Sequence, residues 1–385
     1  MNGLMFRVML IVGVRPQFIK AAPLLRLLDE DEEVELQLVH SGQHYDYEMS
    51  KLFFKELGLP NPIENLGVGS GSHAEQTAHI LLRVEKVIEK YEPDVVMVFG
   101  DANTTLAGAL AAVKLHTPVA HVEAGLRSWD MKMPEEVNRV LTDHCSQVLY
   151  APTETAVRNL RREGIPDSKI SLSGDTMYDL LLKHMTDIEK SDILRRLSLD
   201  GEDYALMTVH RAENVDVPKR LSNIISAVLK LDGLKIVFPI HPRTRNRLKE
   251  YKLMKKIKEA KHIIPTDPLG YFDVLKLIKH AKTILTDSGG MQKEAFILKT
   301  PCITMRDRTE WIETVTLGGN FLVDADEKRI LYAVQRVIEN PEIKDRLKAT
   351  PNPYGDGRAS EKIIKDLKNR WCSGRLDVSK VPIIF

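Results

Sequence analysis

The sequence predicts an α/β protein built from two doubly wound, Rossmann-like domains, each a parallel sheet with helices on both faces. Three observations lead there. The 385 residues exceed what a single hydrophobic core usually fills. Two series of six short β-branched runs follow one another, each run succeeded by a turn and an amphipathic segment. The chemically unusual residues fall just after these runs, where open parallel sheets bind ligands.

In the first half the expected strands are Arg7–Val12, Val34–Val39, Asp94–Phe99, Pro118–Val122, Gln147–Ala151 and Lys169–Ser173. The apolar run at Phe6–Val12 stops at Gly13 with Arg15 beyond and no small-residue cleavage site, so it reads as a buried strand rather than a signal peptide. Helical spacing appears at Ile19–Leu28, Ala74–Lys90 and Thr104–Leu115. The second half repeats the pattern with strands at Tyr204–Val209, Lys235–Ile240, His262–Pro265, Lys282–Thr286, Cys302–Met305 and Asn320–Val323. Helices are expected there at Leu221–Leu231 and Gln292–Leu298. A boundary near Gly174–Asp175 gives domains of residues 1–174 and 175–357. The turn-rich Asn352–Gly357 then leads into helical spacing at Ala359–Trp371, so a terminal helix, residues 358–385, is expected to cross back to the first domain.

Composition removes several function classes. Lys and Arg number 55 against 54 Asp and Glu, a net charge of +1, without the basic excess of a general nucleic-acid binder. A local basic pocket for a phosphorylated small molecule remains open. Cys145, Cys302 and Cys372 are too scattered for a disulfide framework or a zinc site and fit a reducing cytoplasm. No apolar run reaches the roughly 18–20 residues that span a bilayer, so no membrane insertion is expected.

The first strand runs into Gly13-Val14-Arg15-Pro16-Gln17 and a helix containing Lys20. One glycine is not a dinucleotide fingerprint, but two bases at a strand-to-helix turn favour an anion, unless they are only solvated. The third strand ends in Gly100-Asp101 and the fourth in His121-Val122-Glu123. Asp101 either caps the helix near Thr104 or serves the site; Glu123 either pairs with Arg127 or serves the site. Glu135, after Pro134, is either an ordinary first-turn acid or a third functional carboxylate. In the second half His210-Arg211 and His241 stand at adjacent strand ends. The turn Asp287-Ser288-Gly289-Gly290 enters a helix, which lets backbone N–H groups approach a diphosphate, with Glu294 one turn further on to take a ribose diol.

Taken together, Gly13–Pro16, Gln43-His44, Gly100-Asp101, His121–Arg127, Pro134–Arg139, Ala151–Glu154, His210-Arg211, Asp287–Glu294 and Asn352–Gly357 resemble the non-hydrolysing UDP-N-acetylglucosamine 2-epimerases. The motifs keep family order from about Val8 to Lys368. The resemblance implies the glycosyltransferase-B architecture with UDP in an interdomain cleft, a homodimer, and a role in supplying nucleotide sugars for cell-surface polysaccharides. It implies interconversion of UDP-N-acetylglucosamine and UDP-N-acetylmannosamine by elimination and re-addition of UDP through a 2-acetamidoglucal. It implies no metal or redox cofactor. Asp101, Glu123, Glu135 and His210 are then catalytic, and Arg15, Lys20, Asp101, Glu123, His210, Ser288, Gly289, Gly290 and Glu294 bind the substrate.

Three departures bear on that reading. Trp311 stands where the family commonly has arginine and, with Gln292-Lys293-Glu294, resembles the branch acting on UDP-2,3-diacetamido-2,3-dideoxyglucuronate. Either it reshapes the sugar pocket, with Arg243 or Arg308 available to a C6 carboxylate, or it packs beside the helix after Gly290 and leaves UDP-N-acetylglucosamine preferred. Tyr45-Asp46 and the Gly67–His73 segment differ from the substrate-regulated bacterial members, so allosteric activation is not expected. Leu269 and Val274 differ near the uracil site, where backbone does most of the holding. Of the competing classes, a hydrolysing 2-epimerase usually carries a fused sugar kinase, which is not expected in a sequence ending at Phe385. A UDP-glycosyltransferase shares the fold but needs an acceptor surface, and a silent UDP-sugar sensor would not need three carboxylates.

Overall fold

The computed structural model describes residues 5–43, 54 and 56–376. His44, Tyr45 and Asp46, and the end of the terminal helix expected over 358–385, lie outside the described residues. Two compact units emerge: the residues up to Lys183 with those from Pro353 onward, and His184–Asn352.

In the first unit the strands are β1 (Phe6–Val12), β2 (Val34–His40), β3 (Glu64–Asn65), β4 (Val95–Phe99), β5 (Val119–Val122), β6 (Val148–Ala151) and β7 (Ile170–Leu172). They form one parallel sheet in the order β3-β2-β1-β4-β5-β6-β7. A central parallel strand is buried on both faces and therefore reads as a nearly continuous apolar run. In β1, Val8, Leu10 and Val12 face Phe18, Leu24 and Leu25 of the helix Arg15–Asp29 and Ile363 and Leu367 of the helix Ala359–Cys372. Met9 and Ile11 face the other layer, with Ile80 and Val84 of the helix His73–Tyr91 and Ala107 of Asn103–Lys114.

The second unit repeats the plan. Its strands β8 (Tyr204–Thr208), β9 (Lys235–Pro239), β10 (Ile263–Thr266), β11 (Thr283–Thr286), β12 (Cys302–Thr304) and β13 (Asn320–Leu322) form a parallel sheet in the order β10-β9-β8-β11-β12-β13. In both sheets the order reverses beside the first strand. The switch point lies between β1 and β4 in one unit and between β8 and β11 in the other, and beyond the carboxyl ends at such points is where open parallel sheets bind ligands.

The division between units falls after Lys183, beyond the expected Gly174–Asp175, and the chain rejoins the first unit at Pro353 rather than at residue 358. The helix Thr176–Lys183 is the reason. It packs on Arg15–Asp29 and on the terminal helix, whose first N–H groups it caps: Ala359 and Ser360 N–H donate to the Asp179 carboxylate at 3.1 and 2.7 Å. Gly174, at φ +87, lets Asp175 N–H reach the Tyr354 carbonyl at 3.0 Å, so both crossings of the chain are tied together. Among the described residues no helix is long and apolar enough to cross a membrane.

Candidate active site

At the first unit's switch point, Gln17 ties two strand ends together. Its Oε1 accepts from Gly13 N–H at 2.8 Å and Val14 N–H at 3.2 Å. Its Nε2 donates to the Phe99 carbonyl and to Thr105 Oγ1 at 3.0 and 2.9 Å. Gly13 has to be glycine, because a Cβ there would be driven into the Ser41 side chain. Arg15, half-buried, is the first residue of the helix Arg15–Asp29, with Pro16 in the first turn where its missing N–H costs nothing.

Lys20, one turn further, pairs with Glu123, and both side chains are almost wholly buried. Glu123 leaves β5 in a left-handed conformation, φ +71, with its N–H on the Tyr150 carbonyl at 3.1 Å. Non-glycine residues seldom adopt that region, and it turns the carboxylate back toward Lys20. Gly100, also left-handed at φ +62, ends β4 against this pair: a Cβ would lie 2.7 Å from Lys20 Nζ and 3.4 Å from Glu123 Oε1. Asp101 follows. Its carboxylate pairs with Arg139 and its carbonyl accepts from Asn138 Nδ2 at 2.9 Å. Arg139 also donates to Glu136 at 2.8 Å. The Lys20–Glu123 pair thus lies against Gly100, the residue before Asp101, at the ends of β4 and β5.

Glu135, half-buried, sits in the first turn of the helix Pro134–Cys145 that also carries Asn138 and Arg139. Its neighbour Glu136 turns inward and accepts from Ser128 N–H and Trp129 N–H, both at 2.9 Å, which fixes the loop between β5 and this helix.

In the second unit Asp287 is the fully buried centre. Its carboxylate accepts from His210 N–H at 3.1 Å, Arg211 N–H at 3.0 Å and Asn214 Nδ2 at 3.2 Å, so the end of β11 holds the end of β8. The His210 ring lies 3.4 Å from the same carboxylate and keeps 40% of its side chain exposed. Ser288 N–H donates to Thr286 Oγ1 at 3.0 Å, and the helix Gly289–Ile297 begins immediately after. Its first-turn N–H groups have no acceptor within the helix, which is the arrangement that receives an anion. Gly289 is pressed against Glu310, and Gly290 is half-buried. Glu294 is buried in the second turn.

Sequence reasoning placed the carboxylates but not their partners. Glu123 pairs with Lys20, not with Arg127, which instead binds Asp143 and Glu163. Asp101 does not cap the following helix, whose N-cap is Ala102; it goes to Arg139. Arg139 and Asp287 stood inside recognised motifs without a role, and only tertiary contact reveals one. Trp311 is 3% exposed, with the buried Lys293 ammonium 4.1 Å from its ring centre and its Nε1 close behind Gly289. Arg243 pairs with Asp216, and Arg308 with Asp307 at 2.8 Å.

A family model described as UDP-N-acetylglucosamine 2-epimerase matches residues 26–368. A UDP-N-acetylglucosamine 2-epimerase homolog of Methanococcus maripaludis is 49% identical over 94% of this chain and 99% of that protein. The UDP-2,3-diacetamido-2,3-dideoxy-D-glucuronate 2-epimerase of Pseudomonas aeruginosa is 42% identical over 94% of this chain and 99% of its own. The crystal structure of Methanocaldococcus jannaschii UDP-GlcNAc 2-epimerase in complex with UDP-GlcNAc and UDP superposes with a TM-score of 0.88 at 47% identity, covering 94% of this chain and 100% of that one. Two doubly wound units, the motif order and these matches along nearly the whole length agree: this chain belongs to the UDP-N-acetylglucosamine 2-epimerase family.

Proposed function

We propose that this chain interconverts UDP-N-acetylglucosamine and UDP-N-acetylmannosamine without hydrolysing either. The observation that carries the reading is the pair Asp101 and Glu123 at the ends of the adjacent strands β4 and β5, each held by a buried cation, Arg139 or Lys20. The C2 proton of a 2-acetamido sugar is not acidic on its own. Heterolysis of the anomeric C1–O bond, with the electron pair leaving on UDP, gives oxocarbenium character that acidifies it. A carboxylate then takes the proton, C1 and C2 become doubly bonded, and the 2-acetamidoglucal forms. Return of a proton to the opposite face of C2 and of UDP to C1 completes the inversion, so acid and base groups are needed on both faces.

Asp101, Glu123 and Glu135 are assigned to that proton traffic and to the oxocarbenium charge. Arg15, Lys20, His210 and the Ser288-Gly289-Gly290 turn are assigned to UDP, with Glu294 on the ribose. Incubation with UDP-N-acetylglucosamine in deuterated water tests the reading. Deuterium at C2 of the recovered sugar nucleotides supports it; release of free sugar, or no exchange, overturns it. The burial of Trp311 against Lys293, and the local partners of Arg243 and Arg308, support the plain acetamido sugar over the diacetamido uronate. A hundredfold kcat/KM preference for the uronate would reverse that choice.

We also propose a homodimer through the first unit. Ala74, Ala78 and the exposed Leu82 form one stripe of the helix His73–Tyr91, and Pro134, Val137 and the exposed Leu141 one stripe of Pro134–Cys145. An open apolar depression of about 430 Å³ lies between the stripes. Contiguous apolar surface of this kind marks a protein contact. Sedimentation of a Leu82→Glu, Leu141→Glu variant as a monomer, against a dimeric parent, supports this face; a monomeric parent refutes it.

A further inference from the structure

His121, in β5, has no exposed side-chain surface, and both ring nitrogens are engaged. Nε2 lies 2.8 Å from the Gly100 carbonyl oxygen and Nδ1 2.7 Å from Asp143 Oδ1. A carbonyl oxygen can only accept, so Nε2 carries a proton. Asp143 Oδ2 receives Arg127 Nη2 at 2.7 Å and Gly125 N–H at 3.1 Å. Burial pushes the Asp143 carboxyl up, but the Arg127 charge and the Gly125 N–H, neither of which depends on the His121 proton, favour the ionised form. An ionised carboxylate also only accepts, so Nδ1 carries a proton as well.

Charge balance points the same way. Arg127 forms a two-pronged pair with Glu163, Nε to Oε1 at 2.6 Å and Nη2 to Oε2 at 2.7 Å. The half-exposed His144 ring touches Glu163 from outside at 3.3 Å. Lys20 and Glu123, next to Gly100, answer each other. With a neutral His121 ring, Arg127 alone would face two carboxylates, one of them fully buried, and an uncompensated buried charge is strongly destabilising.

We infer that His121 is an imidazolium and a positioning residue: it holds the Gly100–Asp101 peptide so that Asp101 is presented for proton transfer. The inference rests on the reading of Asp101 as a catalytic group. The hold has three points: the ring on the Gly100 carbonyl, Asn138 Nδ2 on the Asp101 carbonyl and Arg139 on its carboxylate. The first is charge-assisted, a class about twice as strong as a neutral hydrogen bond. Removal of one ring proton would leave Nδ1–H with its carboxylate, and the bare Nε2 lone pair would then oppose the Gly100 oxygen. The turn would be released.

Long-range ¹H–¹⁵N spectra of histidine-labelled protein, assigned by the signals lost in His121→Phe, read the ring directly. Both nitrogens protonated at pH 7.5 is the expected result; a bare nitrogen there overturns the inference. In His121→Phe, kcat should fall about 100-fold, the size of effect an ångström of misplacement produces, with UDP affinity changed less than threefold. An undiminished kcat overturns the positioning role. Asp143→Asn separates charge from position, because the amide can donate to Nδ1 while Nε2–H keeps Gly100. That variant should show a neutral ring and keep kcat within about tenfold of the parent, and a full loss of kcat there contradicts the assignment. If His121→Phe does not fold, the parent spectrum and Asp143→Asn still decide. An Asp101→Asn variant with parental turnover would instead remove the catalytic reading of Asp101 and leave the ring's protonation standing.

Discussion

Replacing Gly289 by alanine probes the turn proposed for the diphosphate with a single methyl group. The backbone there is not in the left-handed region, so alanine meets no conformational penalty. Its Cβ would nevertheless lie 3.2 Å from Glu310 Cδ and well inside contact distance of Oε1. Glu310 cannot withdraw easily. It is buried, its Oε2 accepts from Arg306 Nη1 at 3.0 Å, and Arg211 lies 3.9 Å from Oε1. Relief therefore requires the turn to move outward by about 1 Å before ordinary van der Waals separation is regained. Overpacking of this kind destabilises by about 1–3 kcal/mol. On the proposed reading, the same shift displaces the first-turn N–H groups of Gly289–Ile297 from the diphosphate. Calorimetric titration with UDP should show affinity reduced about 10- to 100-fold, equivalent to about 1.4–2.7 kcal/mol, together with a lower Tm. Gly233→Ala, in a turn with nothing within 4 Å of the new carbon, is the control and should change neither. A Gly289→Ala protein with parental Tm and parental UDP affinity would refute both the packing argument and the role given to the turn.

Asp101→Asn, Glu123→Gln and Glu135→Gln should each lower turnover by roughly 10²–10⁴, the usual range for loss of an acid or base, while UDP still binds; near-parental turnover removes that residue from the catalytic set. Asp287→Asn should lower Tm, whereas Asp101→Asn should leave it within about 2 °C of the parent while abolishing most turnover; the reverse pattern in either variant would contradict the roles drawn from their contacts. Burial among Phe18 and its neighbours lowers the pKa of His40, outweighing the Asn65 contact that raises it. The folded state therefore binds the proton less readily than the unfolded chain. The stability this contributes is complete above the unfolded value of 6.5 and is lost as pH falls through the folded value. Melting curves of His40→Gln should accordingly show a shallower loss of Tm below pH 6.5 than the parent, and identical slopes would dismiss the effect.

Much of the architecture was legible because central parallel strands announce themselves as β-branched apolar runs. β3 was not, since Glu64–Asn65 is a two-residue polar edge pairing without a pattern of its own. The first helix begins at Arg15 rather than Ile19 because Pro16 is suited to a first turn, and it continues through the buried Pro23. The unit boundary was misplaced because the helix Thr176–Lys183 looks like the start of something new and declares its allegiance only through Asp179 and the terminal helix. At the site, acids could be placed by their position after a strand. Their partners could not, because Lys20 lies 103 residues from Glu123 and Arg139 lies 38 from Asp101. Arg127, four residues from Glu123, was the nearer cation in sequence, and burial decided otherwise.

The two switch points place an aspartate in corresponding positions, Asp101 after β4 and Asp287 after β11, and the contacts separate their uses. Asp287 receives two backbone N–H groups and an amide while fully buried. A carboxylate has about four lone-pair sites. With the His210 ring 3.4 Å away as a fourth neighbour, those sites are taken up in holding β8 to β11, so its role is to build the site. Asp101 instead keeps 29% of its side chain exposed, and its carboxylate is held from one side by Arg139. An arginine in that geometry orients the acid while part of it stays accessible. Removing the charge of Asp287 is therefore expected to take away structure and move the His210 backbone, whereas removing that of Asp101, on the proposed reading, takes away chemistry and leaves the sheet as it was. On the role proposed for Asp101, the same fold position serves as scaffold in one unit and as reagent in the other, and the number of donors around each carboxylate distinguishes them.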